Sequence, residues 1–460
     1  MPPPDLLLDN SKILSTPHLS AVEHRILGAA LRFALLGRLD ASRNFINLLY
    51  SRPLTQNLEF SGLRGLVGFW QLSSFPHALP QEFKTDAYFE HIKASFALNW
   101  PHPLADEKRT EDELGIAAAL HLSQGPRPHP HYALLGRKVA LEIAIKLAEE
   151  HAINPVDHAK VQEILSLIAT TLPANWRDDH LTSSPRCWNL FASGALARKF
   201  DLTDEQLDAH AAQILDTLRQ RYWHGPTRAL NSIPLLLQKC NDMTMLKSDQ
   251  IYQEMDQEKP TTLFNNPAAT TTDMTTLETR LKLSLPTDFK TFLLTTNGFS
   301  GIWNGYFLNP PLLPSDKIDW IDVSNYDIRY DQLKLPHNIS TYTDPVTREP
   351  RDPYETLPTI TRVIQLANRD VDVVWLIPPR LMQETRAHYT KMYAAVDEQA
   401  KKVIERAIED FAGSWGQWER LQWGVVCGDF EQFECFGGFG KWLENEAWVA
   451  EDVDGGDGEW

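Results

Sequence analysis

The residues best suited to hold a metal are four histidines in the first third of the chain. His129 and His131 alternate with proline in Pro128-His129-Pro130-His131, and His121 and His102 lie upstream as further donors. Neutral imidazoles can ligate zinc. No Cys or carboxylate stands at ligand spacing to complete the set, and there is no His-Glu-x-x-His. Prolines between histidines mark an exposed loop instead. Gly437-Gly438-Phe439-Gly440-Lys441 looks like a phosphate cradle but lacks the Walker spacing and the Ser/Thr after its lysine, and seven acids follow it. A helix-start turn fits it better. No Gly-x-Ser-x-Gly elbow is present. Cys427 and Cys435 need a base to act as nucleophiles, and no histidine follows His388. Asp370 and Asp372 flank Val371 as paired carboxylates; acids at a strand entrance are ordinarily just solvated.

Tryptophan is the other chemical signal. The chain has 14, and those after residue 300 are Trp303, Trp320, Trp375, Trp415, Trp418, Trp423, Trp442, Trp448 and Trp460. Tryptophan serves equally as core filler and as interface anchor, because it buries a large area with few rotors. Trp320, Trp375 and Trp442 are assigned to the core. Trp303, Trp415 and Trp418 lie beside glycines or in loop segments and are the anchor candidates, together with Tyr306. Asp316, Asp319 and Asp322 are the nearby acids. Aromatic rings beside carboxylates suit a partner with a basic surface.

The chain has 460 residues, 43% hydrophobic and 23% charged, which places it among globular proteins. Formal net charge is −17. Residues 1–250 hold 25 Lys+Arg against 27 Asp+Glu, and residues 251–460 hold 19 against 34, so nearly all the excess lies in the second half. That half repels phosphate, which argues against nucleic acid. Its last acids, from Glu444 to Glu459, either attract a basic partner or simply solvate the chain. No apolar stretch is long enough for a membrane span, and Leu6-Leu7-Leu8 is too short for a secretory signal. Four cysteines without a CxxC pair fit a reducing compartment, cytoplasmic or nuclear.

Apolar spacing organises the chain. Residues 1–17 are expected to be a loose lead-in. Residues 18–242 read as successive helices, with Leu19, Val22, Ile26, Leu27, Ala30 and Phe33 forming the first apolar face and Asp204-Glu205 opening a later helix. The word Ala34-Leu35-Leu36-Gly37-Arg38 recurs at Ala133 to Arg137, with no repeat period to support it. Residues 243–273 have a linker composition. Residues 274–450 mix textures: Phe299–Leu308, Ile318–Val323, Thr359–Leu366, Val371–Ile377 and Leu421–Cys427 read as strands, and Tyr389 to Phe411 as a helical stripe. An acidic tail, 451–460, follows. The predicted class is α+β: an all-α N-terminal domain, then a domain with a mainly antiparallel sheet flanked by helices.

Met274 to Phe299 is the most specific stretch. Thr275-x-x-Glu278 reads as a capping box. Pro286 suits the first position of a second helix and Asp288 its first turn. Leu285, Phe289, Phe292 and Leu293 line one side of it, and Gly298 supplies a positive φ after Asn297. This segment resembles the opening signature of the SUKH superfamily: Leu285, Pro286, Asp288, Phe289, Lys290, Phe292, Leu293, Asn297 and Gly298 match Leu-Pro-x-Asp-Phe-Lys-x-Phe-Leu and the terminal Asn-Gly. The Asn265 to Thr270 run is similar to the fungal branch, which includes the Smi–Knr cell-wall regulators. Leu312-Leu313-Pro314 with Ile318-x-Trp320, Val374 to Ile377 around Trp375, and Gly438-Phe439-x-x-Trp442-Leu443 resemble later parts of the domain, with Gly438 where the family has Ser. Against the family pattern, Tyr326 to Thr356 is long and residues 385–412 look inserted; residues 1–250 are not covered. The resemblance implies a protein-binding module without catalytic set or cofactor, in a setting such as fungal cell-wall synthesis and stress signalling. It leaves two rivals: an immunity-type inhibitor of a basic toxin, and a metal enzyme built on the N-terminal histidines.

Overall fold

The computed structural model divides the chain into two units, Met1–Thr16 with Ser20–Pro226, and Pro17–Leu19 with Thr227–Trp460. It describes residues 10–16, 18–54, 66, 116–117, 119–120, 130–171, 179–182, 184–200, 202–225, 232–254, 256, 258–264, 266–304, 307–326, 328–335, 342–343, 350–351, 357–369, 371–428 and 433–452.

Every regular element described in the first unit is a helix. Helix α1 (Asn10–Ser15) falls where a loose lead-in is expected, because Ile13 has a core to enter and is fully buried. Helix α2 (Leu19–Leu35) buries all six residues of its expected apolar face. Helix α3 (Leu39–Leu49) follows a tight turn at Gly37, whose φ is +74° and whose missing side chain lets the Gly194 backbone approach. The same five-residue word lies at the start of the long helix α4 (Pro130–Glu150), so its two copies have different structures. Helices α5 (Ala159–Thr171), α6 (Asp179–Thr182) and α7 (Trp188–Ala192) lead to α8 (Asp204–His224). Thr203 and Gln206 form a capping box on α8, and Gly225 at φ +80° ends it. Inside, the Arg221 guanidinium donates to the Thr16 carbonyl at 2.7 Å, and the Tyr222 hydroxyl donates to the Leu49 carbonyl at 3.0 Å.

The second unit is α+β. Its first helices, α9 (Ile233–Lys247) and α10 (Asp249–Glu254), fall across the expected boundary at 242 and into the expected linker. That expectation is corrected: Leu236, Leu237, Cys240, Leu263 and Ala269 all enter the core of this unit. The polar composition misleads because its polar groups are used as ties. The buried Asn241 accepts from the Leu263 amide at 2.8 Å and the Thr262 hydroxyl at 3.0 Å.

Helix α11 (Thr271–Leu281) starts one turn before the expected capping box. Thr270 and Asp273 form the real one. Glu278 instead serves the far end, accepting from the Leu285 amide at 2.8 Å. Helix α12 (Thr287–Thr295) starts one residue after the expected position: Pro286 is its N-cap, in extended conformation, rather than its first residue. The Phe299–Leu308 strand does not form. Gly301 and the asparagines fold that segment back on itself, leaving isolated bridges at Phe299–Leu312 and Trp303–Leu308.

The sheet has five strands in the order β1 (Trp320–Asp322), β4 (Arg362–Arg369), β5 (Asp372–Ile377), β6 (Gly424–Gly428) and β7 (Phe433–Phe436), every neighbour antiparallel. A separate two-stranded ribbon joins β2 (Tyr342–Thr343) to β3 (Pro350–Arg351). The central strand β5 is buried on both faces. Val374 and Leu376 face a helical layer of α9, α11, α12 and the final helix, α16 (Phe439–Asp452). Val373, Trp375 and Ile377 face α13 (Pro379–Ala395). Beyond α13 lie α14 (Glu398–Ala412) and α15 (Trp415–Arg420). The predicted stripe from Tyr389 to Phe411 is thus two helices, broken where Asp397 caps the second by accepting from the Ala400 amide at 2.8 Å. Helix α16 (Phe439–Asp452) runs past the expected start of the tail at 451, and residues 453–460 lie outside the described residues.

Candidate protein-binding surface

The signature residues around α12 have structural work. Phe289, Phe292 and Phe439 meet with ring centroids 5.0 to 5.6 Å apart. Leu285 and Leu293 are buried beside them. Asp288 accepts from the Gly440 amide at 2.7 Å, so a carboxylate from α12 satisfies an open donor in the first turn of α16. Gly438 adopts φ +134°, a backbone conformation that favours glycine, at the start of α16. Asn297 accepts from the Ser315 amide at 2.7 Å. Gly298 has φ +102°, and a side chain there would press on the Leu312 carbonyl and Pro314. Lys290 pairs with Glu278 at 2.6 Å. Burial acts to raise the Glu278 carboxyl, but Lys290, the Leu285 amide and Ser284 outweigh it and hold it below its ordinary value.

The structure separates the candidate anchors. Trp303 is not exposed: it packs with Tyr252 and Leu308, and its amide donates to the Thr244 hydroxyl at 3.0 Å. Trp418 is 1% exposed, its indole N–H donating to Gln332 at 3.1 Å and its ring set edge-on to Tyr389. Gly301 and Gly305 flank Trp303 and Gly416 precedes Trp418, yet each indole fills a core. Tyr306 lies outside the described residues. Trp375 and Trp442 are core as expected, whereas Trp320 is half-buried, with Arg362 4.7 Å above its ring.

Asp316, Asp319 and Asp322 are exposed along β1 and its approach. Asp319 stands 4.0 Å from Arg280. Asp322 caps the turn at Ser324, whose hydroxyl and amide hold its carboxyl below the ordinary value. These acids and Trp415 stand in different parts of the unit, since Trp415 packs with the cluster of α13, α14 and α15.

Trp415 is the one described anchor candidate that keeps part of its ring at the surface. Three elements build the surrounding edge. Gly413 at φ +84° ends α14, and Ser414 caps α15, which turns Trp415 back toward α13. Its ring meets Tyr393 at 4.8 Å and 58°, and is backed by Trp418 at 5.3 Å and 69°. Carboxylates rim the rings. The Trp415 indole donates to Glu419 at 2.9 Å, and the Tyr393 hydroxyl donates to Glu405. That acceptor holds the Tyr393 phenol above its ordinary value. Glu398 completes the rim through Lys401, whose ammonium lies 2.7 Å from it and 5.7 Å from the Tyr393 ring centre. The sequence reading misses Tyr393, Glu398, Lys401, Glu405 and Glu419. The available signal is Asp397: read as a cap, it breaks the stripe and folds Glu398 to Glu405 back along α13.

The remaining chemistry-bearing groups are enclosed. Cys427 and Cys435 sit on adjacent strands but face opposite sides of the sheet, because Cys427 pairs with Glu434 and Cys435 with Val426. Burial raises both thiols. Glu446 is buried and pushed up to about 8, first by burial and then by the charge of Glu434, with Asn309 donating to it. Among the described residues, no three of His, Cys, Asp and Glu converge as a metal site. His102, His121, His129 and Asp370 lie outside those residues, as does the side chain of His131. No helix among the described residues is long and apolar enough to cross a membrane. No family model, curated protein or solved structure matches the chain.

Proposed function

We propose that the second unit is a SUKH-like, non-catalytic module that binds a protein partner with a basic surface, in a regulatory role such as cell-wall and stress signalling. The observation that carries this reading is the edge of α13 to α15: a half-buried Trp415 against Tyr393, rimmed by Glu398, Glu405 and Glu419. Aromatic area supplies hold and carboxylates supply steering in such an interface. The module's signature residues support the SUKH-like assignment by acting as packing and caps. An immunity-type inhibitor of a basic toxin would use the same edge on a different partner.

The test is affinity capture with the full chain, wild type against Trp415→Ala. The expected result is a protein retained by the wild type, with retention weakened by at least about 2 kcal/mol in the variant, and a melting temperature within a few degrees of the original. Equal retention by both chains would remove this edge as the binding surface.

A further inference from the structure

Lys401 shows what this edge holds. The side chain lies in the first turn of α14, only partly exposed, while its ion-pair partner Glu398 is 85% exposed. Its ammonium sits over the negative face of Tyr393, 5.7 Å from the ring centre. Trp415 packs against Tyr393 with 4.8 Å between ring centres and 58° between ring planes, so it backs the Tyr393 ring. Glu398 and Glu405 are seven residues apart on α14, two turns along one face, and Glu419 stands on α15 beside Trp415. An aromatic face backed by a second ring, with carboxylates at the rim, is the chemistry that receives an alkylammonium or guanidinium group.

The intramolecular cation is weakly held. Its ion pair spans three residues on a solvated helix face, where screening leaves little net attraction. A basic segment bringing several cations at once would compete successfully, since its charges also meet Glu405 and Glu419. We propose that this edge is a cation site whose internal occupant is Lys401, and that a lysine or arginine side chain of a basic peptide segment displaces Lys401 from the Tyr393 ring when a partner binds. The proposal rests on the protein-binding reading above and gives its partner chemistry.

The experiment titrates the full chain with an alternating Lys-Gly octapeptide, with an Arg-Gly peptide as the second arm, a Glu-Gly peptide as control and free methylammonium as the small-cation arm. The readout is the indole N–H resonance of Trp415, assigned with Trp415→Phe. Lys401→Gln is expected to bind the basic peptides about threefold tighter than the wild type, Lys401→Arg about equally, and Tyr393→Leu about tenfold more weakly. The Glu-Gly peptide should leave the resonance in place, and methylammonium alone should move it only weakly. Melting curves of each variant verify folding, and Lys401→Gln alters only a surface side chain. If Lys401→Gln binds no tighter than wild type, Lys401 is not the occupant and the proposal falls. If the basic peptides leave the Trp415 resonance unmoved in every variant, the cation site itself falls. Capture of the protein partner through Trp415 is scored separately, so either failure is distinguishable from failure of the protein-binding reading.

Discussion

The two faces of the central sheet are covered in different ways. On one, α9, α11, α12 and α16 close over Ile364, Leu366, Val374, Leu376, Val425 and Phe436 with aromatic and aliphatic carbon. Polar groups there mostly serve as caps, as Asp288 does for Gly440. On the other, α13 lays Leu381 and Met382 on Val373, Trp375 and Ile377, but polar atoms are buried between and behind them. Gln332 takes the Trp418 indole, Asp331 takes the Tyr389 hydroxyl at 2.6 Å, and the Tyr330 hydroxyl lies buried with Gln332 near it but short of normal hydrogen-bond geometry. Apolar packing is non-directional and tolerant, whereas a buried polar group contributes only when its partner is in place. The first face is therefore expected to carry the stability of the unit, and the second to carry the adaptable binding edge.

Removing α9 is the most drastic way to test this. A chain beginning near residue 253 lacks Leu236, Leu237 and Cys240, all buried in the first face. It is expected to show no cooperative unfolding transition. A chain beginning at Thr227, where the long segment of the unit begins, is expected to unfold cooperatively. Cooperative melting of the shorter chain would mean that α9 is dispensable and the first face less important than its packing implies. Within that face, Phe292→Ala removes a fully buried ring from the Phe289–Phe439 cluster and is expected to cost about 3–5 kcal/mol in chemical denaturation.

Glu446 is the exception on the apolar face, and pH exposes it. Its carboxyl titrates near 8 in the folded chain, against 4.5 for a solvated glutamate. Between those values the folded state binds more protons than the unfolded state. Stability is thus fully present below about pH 4.5 and is lost as pH rises through about 8. The expected loss is roughly 2–4 kcal/mol between about pH 5 and about pH 9, after allowing for local opening around the charged form. Glu446→Gln keeps an acceptor for Asn309 and should flatten that fall. An unchanged pH slope in the variant would show that another group carries it.

How much of this arrangement was legible in the sequence also follows the two faces. The first is readable because its information is local: Pro286, the Phe289–Phe292 spacing and Gly298 each act on adjacent backbone, and the β-branched and aromatic run Val371–Ile377 locates β5. Both Thr270-x-x-Asp273 and Thr275-x-x-Glu278 satisfy the capping-box pattern, and only the Leu285 amide decides which acid does what. Residues 243–273 read as a linker because Asn241, Thr262 and Leu263 are tied across some twenty residues. On the second face Trp418 meets Gln332 across 86 residues, and Trp415 meets Tyr393 only after two helix reversals. Glycine neighbours suggested that Trp303 and Trp418 were exposed, but the partners that bury them lie far away in sequence.

Tyr330→Phe is the smallest and sharpest test of the comparison. The Tyr330 hydroxyl is wedged beside Gly424, where even an added methyl carbon would stand 2.2 Å from it, with Met382 and Gln332 alongside. Burial raises its phenol far above the ordinary range, so it is neutral and gains nothing from ionisation. Deleting a buried hydroxyl that makes no good hydrogen bond removes a desolvation cost and leaves the ring's packing intact. The substitution is expected to be neutral within about 0.5 kcal/mol or to stabilise by up to about 1 kcal/mol, measured by urea unfolding at neutral pH. A ring-for-ring change on the first face has no such benefit to release, since its phenylalanines carry no polar atom. Destabilisation by more than about 1 kcal/mol would mean that an ordered water or a shifted Gln332 satisfies the hydroxyl. The second face would then be as well satisfied as the first, and the contrast between a closed face and an adaptable one would have to be abandoned.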